Sequence, residues 1–221
     1  INYLENSIDG FVLKYKNLAN DDYSGALLYE AIKSYEIINE GLSKLITFAG
    51  LQYYTDLNNE DFKFLYQKLQ EQLTPISSKL TFFRLVVASF SKEQITRLIS
   101  QEKKLEKYEY WLDLASKFKP HQLNEEMERY IEEKSVAGRT AWVRLYDETL
   151  ASMEFNFRGE ILPLEAITHK MSDADRSVRK DAALSLSSGI NNQLNLFTTI
   201  TNVLSKDKAI DDGWRKFQSP E

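Results

Sequence analysis

Apolar residues recur along the first part of the chain at steps of three and four positions. One such stripe begins at Leu28 and ends at Ala49. This spacing places the apolar side chains on one face of an α-helix. Its members are Leu28, Ile32, Tyr35, Ile38, Leu42, Leu45 and Ala49. The pattern therefore predicts a long amphipathic helix.

A second apolar stripe keeps its phase through a proline. Its members are Phe62, Leu65, Leu69, Leu73, Ile76, Leu80, Phe83 and Val87. Because proline interrupts the helical hydrogen-bond ladder, two interpretations stay open. Either Thr74 caps a new helix that starts at Pro75, or one long helix is kinked there. Such a stripe normally packs inside its own chain, and a helical dimer along it is the alternative that a size measurement in solution tests.

Capping residues mark the starts of the next helices. Ser91 followed three residues later by Gln94 forms a capping box, and the apolar stripe after it ends near Pro120. The members of that stripe are Leu98, Leu105, Tyr108, Leu112 and Ala115. Asn124 precedes a first turn rich in glutamate, where the helix dipole favours acids. A helix is expected to begin there.

That helix is expected to enter the core in its second half. From Val136 to Leu150, apolar residues occupy both faces of the predicted helix. Ala141 and Leu145 lie on one side, and the other side carries Val136, Val143, Tyr146 and Leu150.

The helical period breaks between Ser152 and Leu162. Apolar Met153, Phe155 and Phe157 alternate there with polar Glu154, Asn156 and Arg158. Alternation with a period of two is typical of a half-buried strand, and a glycine-containing pair between two strands favours a tight turn. The segment predicts one β-hairpin, with Arg158-Gly159 or a slightly longer loop at its tip.

Three further helices are predicted after the hairpin. Pro163 is suited to open the first of them, and Ser172 with Asp175 resembles a cap for the second. The second helix carries Val178, Ala182 and Leu186. The last predicted helix runs from Leu194 to about Leu204 and leads into a tail that contains Trp214.

The predicted fold is mostly all-α, with one small hairpin near residues 152–162. Eight glycines and four prolines in 221 residues are too few for the regular turns of a β-sandwich or barrel. Neither a low-complexity linker nor a repeat of fixed period divides the chain. We expect a bundle of long helices over residues 1–118 and a second part over residues 119–221, packed together as one lobe.

The composition excludes several classes of protein. The net charge is −5 and no long basic run is present, which argues against nucleic acid as a partner. No apolar run approaches the roughly 20 residues of a membrane span. The absence of cysteine excludes disulfides and thiolate metal sites and fits the cytoplasm. The chain opens on Ile1 and closes on Gln218-Ser219-Pro220-Glu221, so we expect a fragment of a longer protein.

The sequence contains no recognisable catalytic motif. Glycines are at least nine residues apart, so Rossmann and P-loop phosphate motifs are absent, and so is G-x-S-x-G. His121 and Glu125 are one helical turn apart, but two ligands are too few for zinc, and a solvated helix start is expected. His169 stands alone.

Other candidate sites also favour structural interpretations. The acidic run that starts at Asp173 resembles a calcium loop, but Val178 and Leu184 occupy the positions that need glycine and glutamate. Adjacent glutamates, at 125–126 and 132–133, point about 100° apart on a helix, so a solvated face is expected. The tryptophans at 111, 142 and 214 are expected to be core anchors rather than a ligand platform. We therefore expect no catalytic, cofactor-binding or metal-ligating residue in this chain.

Several motifs of the second half resemble one peptidase family. They are the run from His121 to Glu128 with Glu133-Lys134-Ser135, Gly138-Arg139, Ala141-Trp142, Leu145-Tyr146-Asp147-Glu148, Phe155-Asn156-Phe157-Arg158-Gly159, the run from Ser172 to Arg179 with Ala182, the run from Leu204 to Asp212, and Trp214-Arg215. In this order and spacing they resemble bacterial oligoendopeptidase F, a branch of the thimet-type zinc oligopeptidases. The first half resembles the family only as a succession of long amphipathic helices.

The resemblance implies a parent enzyme that hydrolyses short peptides at a zinc ion held by an H-E-x-x-H helix and a further glutamate. None of those residues is present here. The resemblance implies instead structural roles in an amino-terminal lobe: Trp142 and Phe155 as core anchors, Ser172 as a cap and Gly159 as the hairpin tip.

We therefore expect a non-catalytic wall of a substrate channel, with short peptides and the catalytic domain as partners. The alternative is a stand-alone helical module that binds peptides or proteins, without a peptidase parent. The residues encoded after Glu221 separate the two readings.

Overall fold

The chain folds into eleven α-helices and one hairpin in a computed structural model that describes residues 1–218. The helices are α1 (Asn2–Tyr15), α2 (Gly25–Thr55), α3 (Glu60–Ser77), α4 (Thr81–Ser89), α5 (Lys92–Gln101), α6 (Glu109–Lys117), α7 (Glu125–Ser135), α8 (Arg139–Ala151), α9 (Leu164–Lys170), α10 (Arg176–Asn192) and α11 (Leu194–Arg215). The strands are β1 (Glu154–Phe157) and β2 (Glu160–Pro163). The mostly all-α fold with one hairpin is confirmed. The last three residues of the predicted second part, 119–221, lie outside the described residues.

The first predicted stripe is the buried face of α2. Leu28, Ile32, Ile38, Leu42 and Ala49 are all buried, and Tyr35 and Leu45 pack partly buried against the same core. The helix begins at Ser24, whose side chain accepts a hydrogen bond from the Leu27 amide. The long amphipathic helix is therefore confirmed.

Neither interpretation of the proline in the second stripe is correct. α3 continues past Pro75 to Ser77, and a 3₁₀ segment, Ser78–Leu80, then separates it from α4. Hydroxyl groups bond the carbonyls near the break: Thr74 Oγ1 donates to the Gln70 carbonyl, and Ser78 Oγ donates to the Pro75 carbonyl. The proline thus lies in the last turn of α3, where it removes one backbone hydrogen bond close to the point at which the helix ends. Much of the stripe packs inside the chain, with Leu73, Ile76, Leu80, Phe83 and Val87 buried.

The capping box before α5 is confirmed, but the stripe that follows it does not form one helix. Ser91 and Gln94 exchange the two hydrogen bonds of the box. α5 then ends at Glu102, whose backbone is extended at φ −140° and ψ 99°. The Glu102 carboxylate accepts from the Lys104 amide and starts a 3₁₀ segment, Lys103–Tyr108, ahead of α6. Leu105, Tyr108 and Leu112, which follow this break, are nevertheless buried as the apolar spacing predicts.

The predicted helix after Asn124 is two helices, and it reaches a core only at its end, where Leu150 packs partly buried against the apolar cluster that contains the hairpin. Asn124 caps α7 by accepting from the Met127 amide, as predicted. The helix ends at Ser135, and Gly138 lies outside the helical region at φ −103° and ψ −113° before α8 begins. No residue of α7 or α8, all of which the structure describes, is fully buried. Val143, Leu145 and Tyr146, which lie on both sides of α8, are each 38–40% exposed.

The hairpin forms as the alternation predicts. β1 and β2 are antiparallel, with Phe155 opposite Leu162 and Phe157 opposite Glu160. The two-residue tip is Arg158-Gly159, with φ of 53° and 90°. Positive φ at both positions is the type I′ geometry that matches the twist of the strands. Pro163, the last residue of β2, directly precedes the first residue of α9.

Two predictions about the last helices are wrong. The cap of α10 is Asp175, whose side chain accepts from the Ser177 amide, and not Ser172. The carboxylate of Asp173 accepts from the Asp175 amide, so a local turn occupies the residues that a helix capped by Ser172 would use. α11 continues to Arg215 rather than ending near Leu204.

The buried apolar side chains form two clusters. The first draws on helices α1 to α6, and its buried members lie between Leu4 and Leu112. The second contains residues of the hairpin, α9 and α10, and Phe197 of α11 packs against it. Phe155, at 1% exposure, anchors the second cluster as predicted. Trp142 does not anchor a core, because it lies half-buried on α8.

Candidate functional site

A cleft opens between the end of α2, the middle of α3 and the first turns of α8. Its volume is about 260 Å³. Tyrosines from α2 and α3 form one wall, and arginine and aspartate side chains from α8 form the other. The lining residues are Tyr53, Tyr54, Tyr66, Gln70, Arg139, Thr140, Val143, Arg144 and Asp147. The cleft therefore combines aromatic surface with charged groups.

The three tyrosine rings form a packed group. The rings of Tyr53 and Tyr66 stack at 4.9 Å between centroids and 20° between planes. Tyr54 meets Tyr53 edge-on at 5.0 Å and lies 6.3 Å from Tyr66. Tyr53 is buried, whereas 58% of Tyr54 is exposed. The buried ring thus supports two others that present apolar surface to the cleft.

Two polar atoms at the cleft have no hydrogen-bond partner among the described residues. They are the side-chain oxygen Oε1 of Gln70 and the guanidinium nitrogen Nη1 of Arg144, and both are buried. A buried polar atom without a partner costs about 1–3 kcal/mol, and more if it is charged. Both atoms are enclosed by the protein, so neither is exposed to a molecule in the cleft.

Two carboxylates of α8 set the electrostatics around Arg144. Glu148 Oε1 accepts from the Tyr53 hydroxyl at 3.4 Å and lies 3.8 Å from Arg144 Nε. Burial, and then the Glu148 charge, raise the pKa of Asp147 above its ordinary value. Burial also raises the pKa of Tyr53, with further contributions from Glu148 and Asp147. The Tyr53 hydroxyl therefore keeps its proton and donates a hydrogen bond to Glu148.

No sequence motif marks the residues of this cleft. Tyr53 and Tyr54 are adjacent residues at the end of α2, and Arg144 lies ninety residues further on. A pair of tyrosines beside a helix end is a weak signal, because aromatic residues at helical spacing are usually packed in a core. Only the packing of α8 against the α2–α3 pair brings the groups together.

His121 is not part of a solvated helix start, contrary to the prediction. Its ring stacks on Phe217 at 4.0 Å and 10°, and Nδ1 lies 2.8 Å from the carbonyl oxygen of Arg215. Glu125, its neighbour one turn away, pairs with Lys16 at 2.5 Å. Within residues 1–218, no group of three or more His, Cys, Asp or Glu side chains could hold a metal ion. His121 thus has a packing role.

Of the adjacent glutamates 132 and 133, Glu133 is exposed as predicted, whereas Glu132 is only partly exposed. Glu132 accepts from the hydroxyls of Ser77 and Thr81 and pairs with Arg84 at 2.6 Å. Glu133 accepts from the hydroxyl of Ser78 at 2.7 Å. These bonds fasten α7 to the break between α3 and α4.

The acidic residues before α10 and the tryptophans are the remaining candidate site residues. Asp173 and Asp175 accept backbone amides in the turn and cap before α10. Among the tryptophans, Trp111 packs against the first cluster as predicted. Trp214 is 61% exposed, so its prediction as a core anchor is wrong.

No helix within the described part of the chain has both the length and the apolar composition of a membrane span.

The comparisons with known proteins agree on one family. The family model described as Oligopeptidase F matches residues 87–155. The oligopeptidase PepF of Bacillus subtilis (strain 168) is 26% identical over 122 residues, which are 55% of this chain and 18% of that protein. The oligoendopeptidase F homolog of Borreliella burgdorferi is 26% identical over 211 residues, which are 91% of this chain and 34% of that protein. The chain thus spans about a third or less of the length of these relatives.

The fold has a close counterpart among solved structures. The crystal structure of oligoendopeptidase-F from Enterococcus faecium matches 99% of this chain and 44% of that chain, with a TM-score of 0.81. At 19% sequence identity, this likeness concerns the fold. Together with the family model and the two relatives, it confirms the resemblance of this chain to the amino-terminal part of oligoendopeptidase F.

Proposed function

We propose that this chain is the non-catalytic amino-terminal lobe of a zinc metallo-oligoendopeptidase that hydrolyses short peptides. In this proposal the lobe forms a wall of the substrate channel and encloses the peptide without cleaving it. The observation that carries the proposal is a fold shared with oligoendopeptidase-F in a chain whose described residues contain no cluster of metal ligands. The cleft between α2, α3 and α8 supplies the aromatic and polar surface that a channel wall needs.

The described residues do not fit the zinc that the family implies. Catalytic zinc needs three protein ligands, whereas His121 is held between Phe217 and the Arg215 carbonyl. We therefore assign the zinc to the part of the parent protein that this chain does not include. Bound there, zinc would polarise the scissile carbonyl and lower the pKa of a water molecule.

We also propose that the two parts predicted from the sequence, 1–118 and 119–221, act as one lobe. The two apolar clusters support a division, since their buried members lie on either side of residue 118. Polar bonds cross the division, among them Arg84 with Glu132 and Tyr53 with Glu148. A cytoplasmic location is proposed from the lack of cysteine.

The second candidate is a stand-alone helical module that binds peptides or proteins. The partly exposed apolar residues of α8 favour it, because such residues can contact a partner helix. The residues that the native gene encodes after Glu221 distinguish the candidates. An H-E-x-x-H motif a hundred or more residues downstream supports the peptidase, and a stop codon at or near Glu221 supports the module.

The non-catalytic assignment is tested on the 221-residue chain itself. Zinc is added, and metal binding and cleavage of a quenched fluorescent peptide are measured. The chain should show neither stoichiometric tight binding nor cleavage. Either signal would overturn the assignment.

A further inference from the structure

We propose that the last part of α2, residues 45–55, forms an interface with the part of the parent protein that this chain does not include. The partner is an uncharged, largely apolar surface of that remaining part, and it packs over the side chains of Phe48, Leu51 and Tyr54. The inference rests on the proposed function, which supplies the larger parent, and it adds the position at which the rest of the parent contacts this lobe.

The outer side of α2 changes in character after Lys44. Before that residue its exposed side chains are largely charged, and several form surface ion pairs, such as Lys33 with Glu36 and Lys44 with Glu40. Residues 45–55 contain no charged side chain, although they continue the same helix. An amphipathic helix carries charged and polar groups on the side that faces water. The last part of α2 therefore departs from the pattern of the rest of the helix.

Large apolar side chains occupy the outer side of residues 45–55. Phe48 is 59% exposed, Leu51 is 64% exposed and Tyr54 is 58% exposed. Because they are spaced three residues apart, they lie next to one another along the helix, and we call them the α2 ridge. The inner side of the same segment, with Ala49 and Tyr53, is buried. A helix that is apolar on all sides is normally buried on all sides, so a partner on the outer side is expected.

The chemistry of the α2 ridge defines the kind of partner. Interface cores are enriched in aromatic residues and depleted of charged ones, as residues 45–55 are. Phe48 and Leu51 project from the helix and do not line the cleft beside α8. Small molecules bind in concave sites, whereas a projecting side chain binds in a groove that its partner supplies. The partner is therefore a protein surface with an apolar groove.

The surface area of the chain favours the rest of the parent over a second copy. The chain exposes 13875 Å² and has a mass of 25.7 kDa. This area is roughly a third larger than the 10,400 Å² or so, about the value expected for a monomeric protein of that mass. A dimer interface of standard size buries only about 800 Å² on each partner, which is far less than the excess. The chain corresponds to 34% of the length of one relative, so most of such a protein remains to cover the excess surface.

The test is hydroxyl-radical footprinting of the native gene product and of the 221-residue chain, which measures how fast each side chain is oxidised. In the native product, Phe48 and Leu51 should be oxidised more slowly than in the 221-residue chain by roughly fivefold or more, because an interface core excludes water. Ile37 is the matched control. It is 61% exposed and lies about three helical turns before Phe48, on the same side of α2 but among charged residues. Its oxidation rate should be the same in both proteins.

Variants connect the protection to the contact. Leu51→Glu should lower the melting temperature of the native product by about 2 °C or more, because a charge is buried without a partner. The same substitution should leave the melting temperature of the 221-residue chain nearly unchanged, since Leu51 is exposed there. Ile37→Glu should change neither protein. Circular dichroism of each variant verifies that it is folded.

Equal oxidation of Phe48 and Leu51 in the two proteins would overturn the proposal, and so would a slowing at Ile37 as large as theirs. A 221-residue chain that sediments as a dimer with Phe48 and Leu51 already protected would also overturn it, because the partner is then a second copy. Peptidase activity is a separate readout. Protection in a native product that cleaves no peptide supports the interface and contradicts the proposed function, whereas cleavage without protection does the reverse. A native gene that ends at or near Glu221 overturns both.

Discussion

Arg215 holds the end of α11 against the start of α7 through a two-point ion pair with Glu128. Its two terminal nitrogens lie 2.7 and 2.9 Å from the two carboxylate oxygens. Asp211 accepts from the Nε atom of the same guanidinium at 2.9 Å. The side chains of Arg215 and Glu128 are only 19% and 16% exposed. A bidentate pair with so little solvent contact contributes more to stability than a surface pair does.

Replacing Arg215 should therefore destabilise the chain. We expect Arg215→Met to lower the free energy of unfolding by about 1–3 kcal/mol, because a partly buried carboxylate loses its charged partner. Lys14→Met is the control, since Lys14 and Glu30 form an exposed pair, and it should change the stability little. Urea denaturation of both variants measures the difference. Equal effects would contradict the special role of the buried pair.

The same pair gives the stability a dependence on pH. Burial alone would raise the pKa of Glu128, but hydrogen bonds from Arg215 and from the Leu123 amide lower it below its ordinary value of 4.5. A carboxylate with a lowered pKa in the folded state contributes stability above its unfolded pKa. That contribution is lost as the pH falls below about 4.5 and through the lowered folded value. Glu128→Gln should thus reduce the acid-induced loss of stability, measured by urea denaturation between neutral pH and pH 3. An unchanged pH profile would contradict this assignment.

Gly189 of α10 permits the close approach of Phe155. A methyl group added at Gly189 would lie 2.6 Å from the Phe155 ring, whereas one added at Gly10 of α1 would meet nothing within 4 Å. We expect Gly189→Ala to destabilise the chain by about 1–3 kcal/mol through overpacking. Gly10→Ala should instead stabilise it by about 0.5–1 kcal/mol, because alanine favours the helix. Thermal unfolding of the two variants should show shifts of opposite sign, and a shared sign would refute the packing argument.

At the scale of elements, signals that lie within one turn of chain were predictable. The caps at Ser91 and Asn124 and the hairpin tip at Arg158-Gly159 depend on neighbouring residues, and the structure has all three. Ser172 was misread because Asp173 and Asp175 offer competing local hydrogen bonds. The helix ends at Glu102 and Gly138 were not predictable from the stripes, because the helical spacing of apolar residues continues across both positions.

The start of α10 tests this explanation. Asp175→Ala should lower the melting temperature, because the Ser177 amide loses its acceptor at the helix end. Ser172→Ala should leave the melting temperature unchanged, since the Ser172 side chain does not cap the helix. Differential scanning calorimetry compares the two. A larger decrease in melting temperature for Ser172→Ala than for Asp175→Ala would contradict this explanation and support Ser172 as the cap.

At the scale of the whole molecule, the fold class could be predicted from the sequence, whereas the position of the cleft could not. Stripe periodicity and the shortage of glycine and proline were enough for a helical fold, because both are properties of a whole segment. The cleft was not predictable, because it depends on how α8 packs beside Tyr53 and Tyr66, far away along the chain. The partial exposure of α8 was not predictable for a related reason. Apolar residues on both sides of a helix indicate burial, but no residue of α8 is fully buried.

The central claim is that this chain is the wall of a zinc peptidase that acts on short peptides. It is tested most directly by purifying the product of the native gene and measuring cleavage of quenched fluorescent peptides of graded length, with a folded protein as control. We predict cleavage of the short peptides alone, loss of activity on treatment with a chelator, and its return with zinc. A purified, folded gene product that cleaves no peptide, or whose cleavage survives removal of the metal, would contradict the claim.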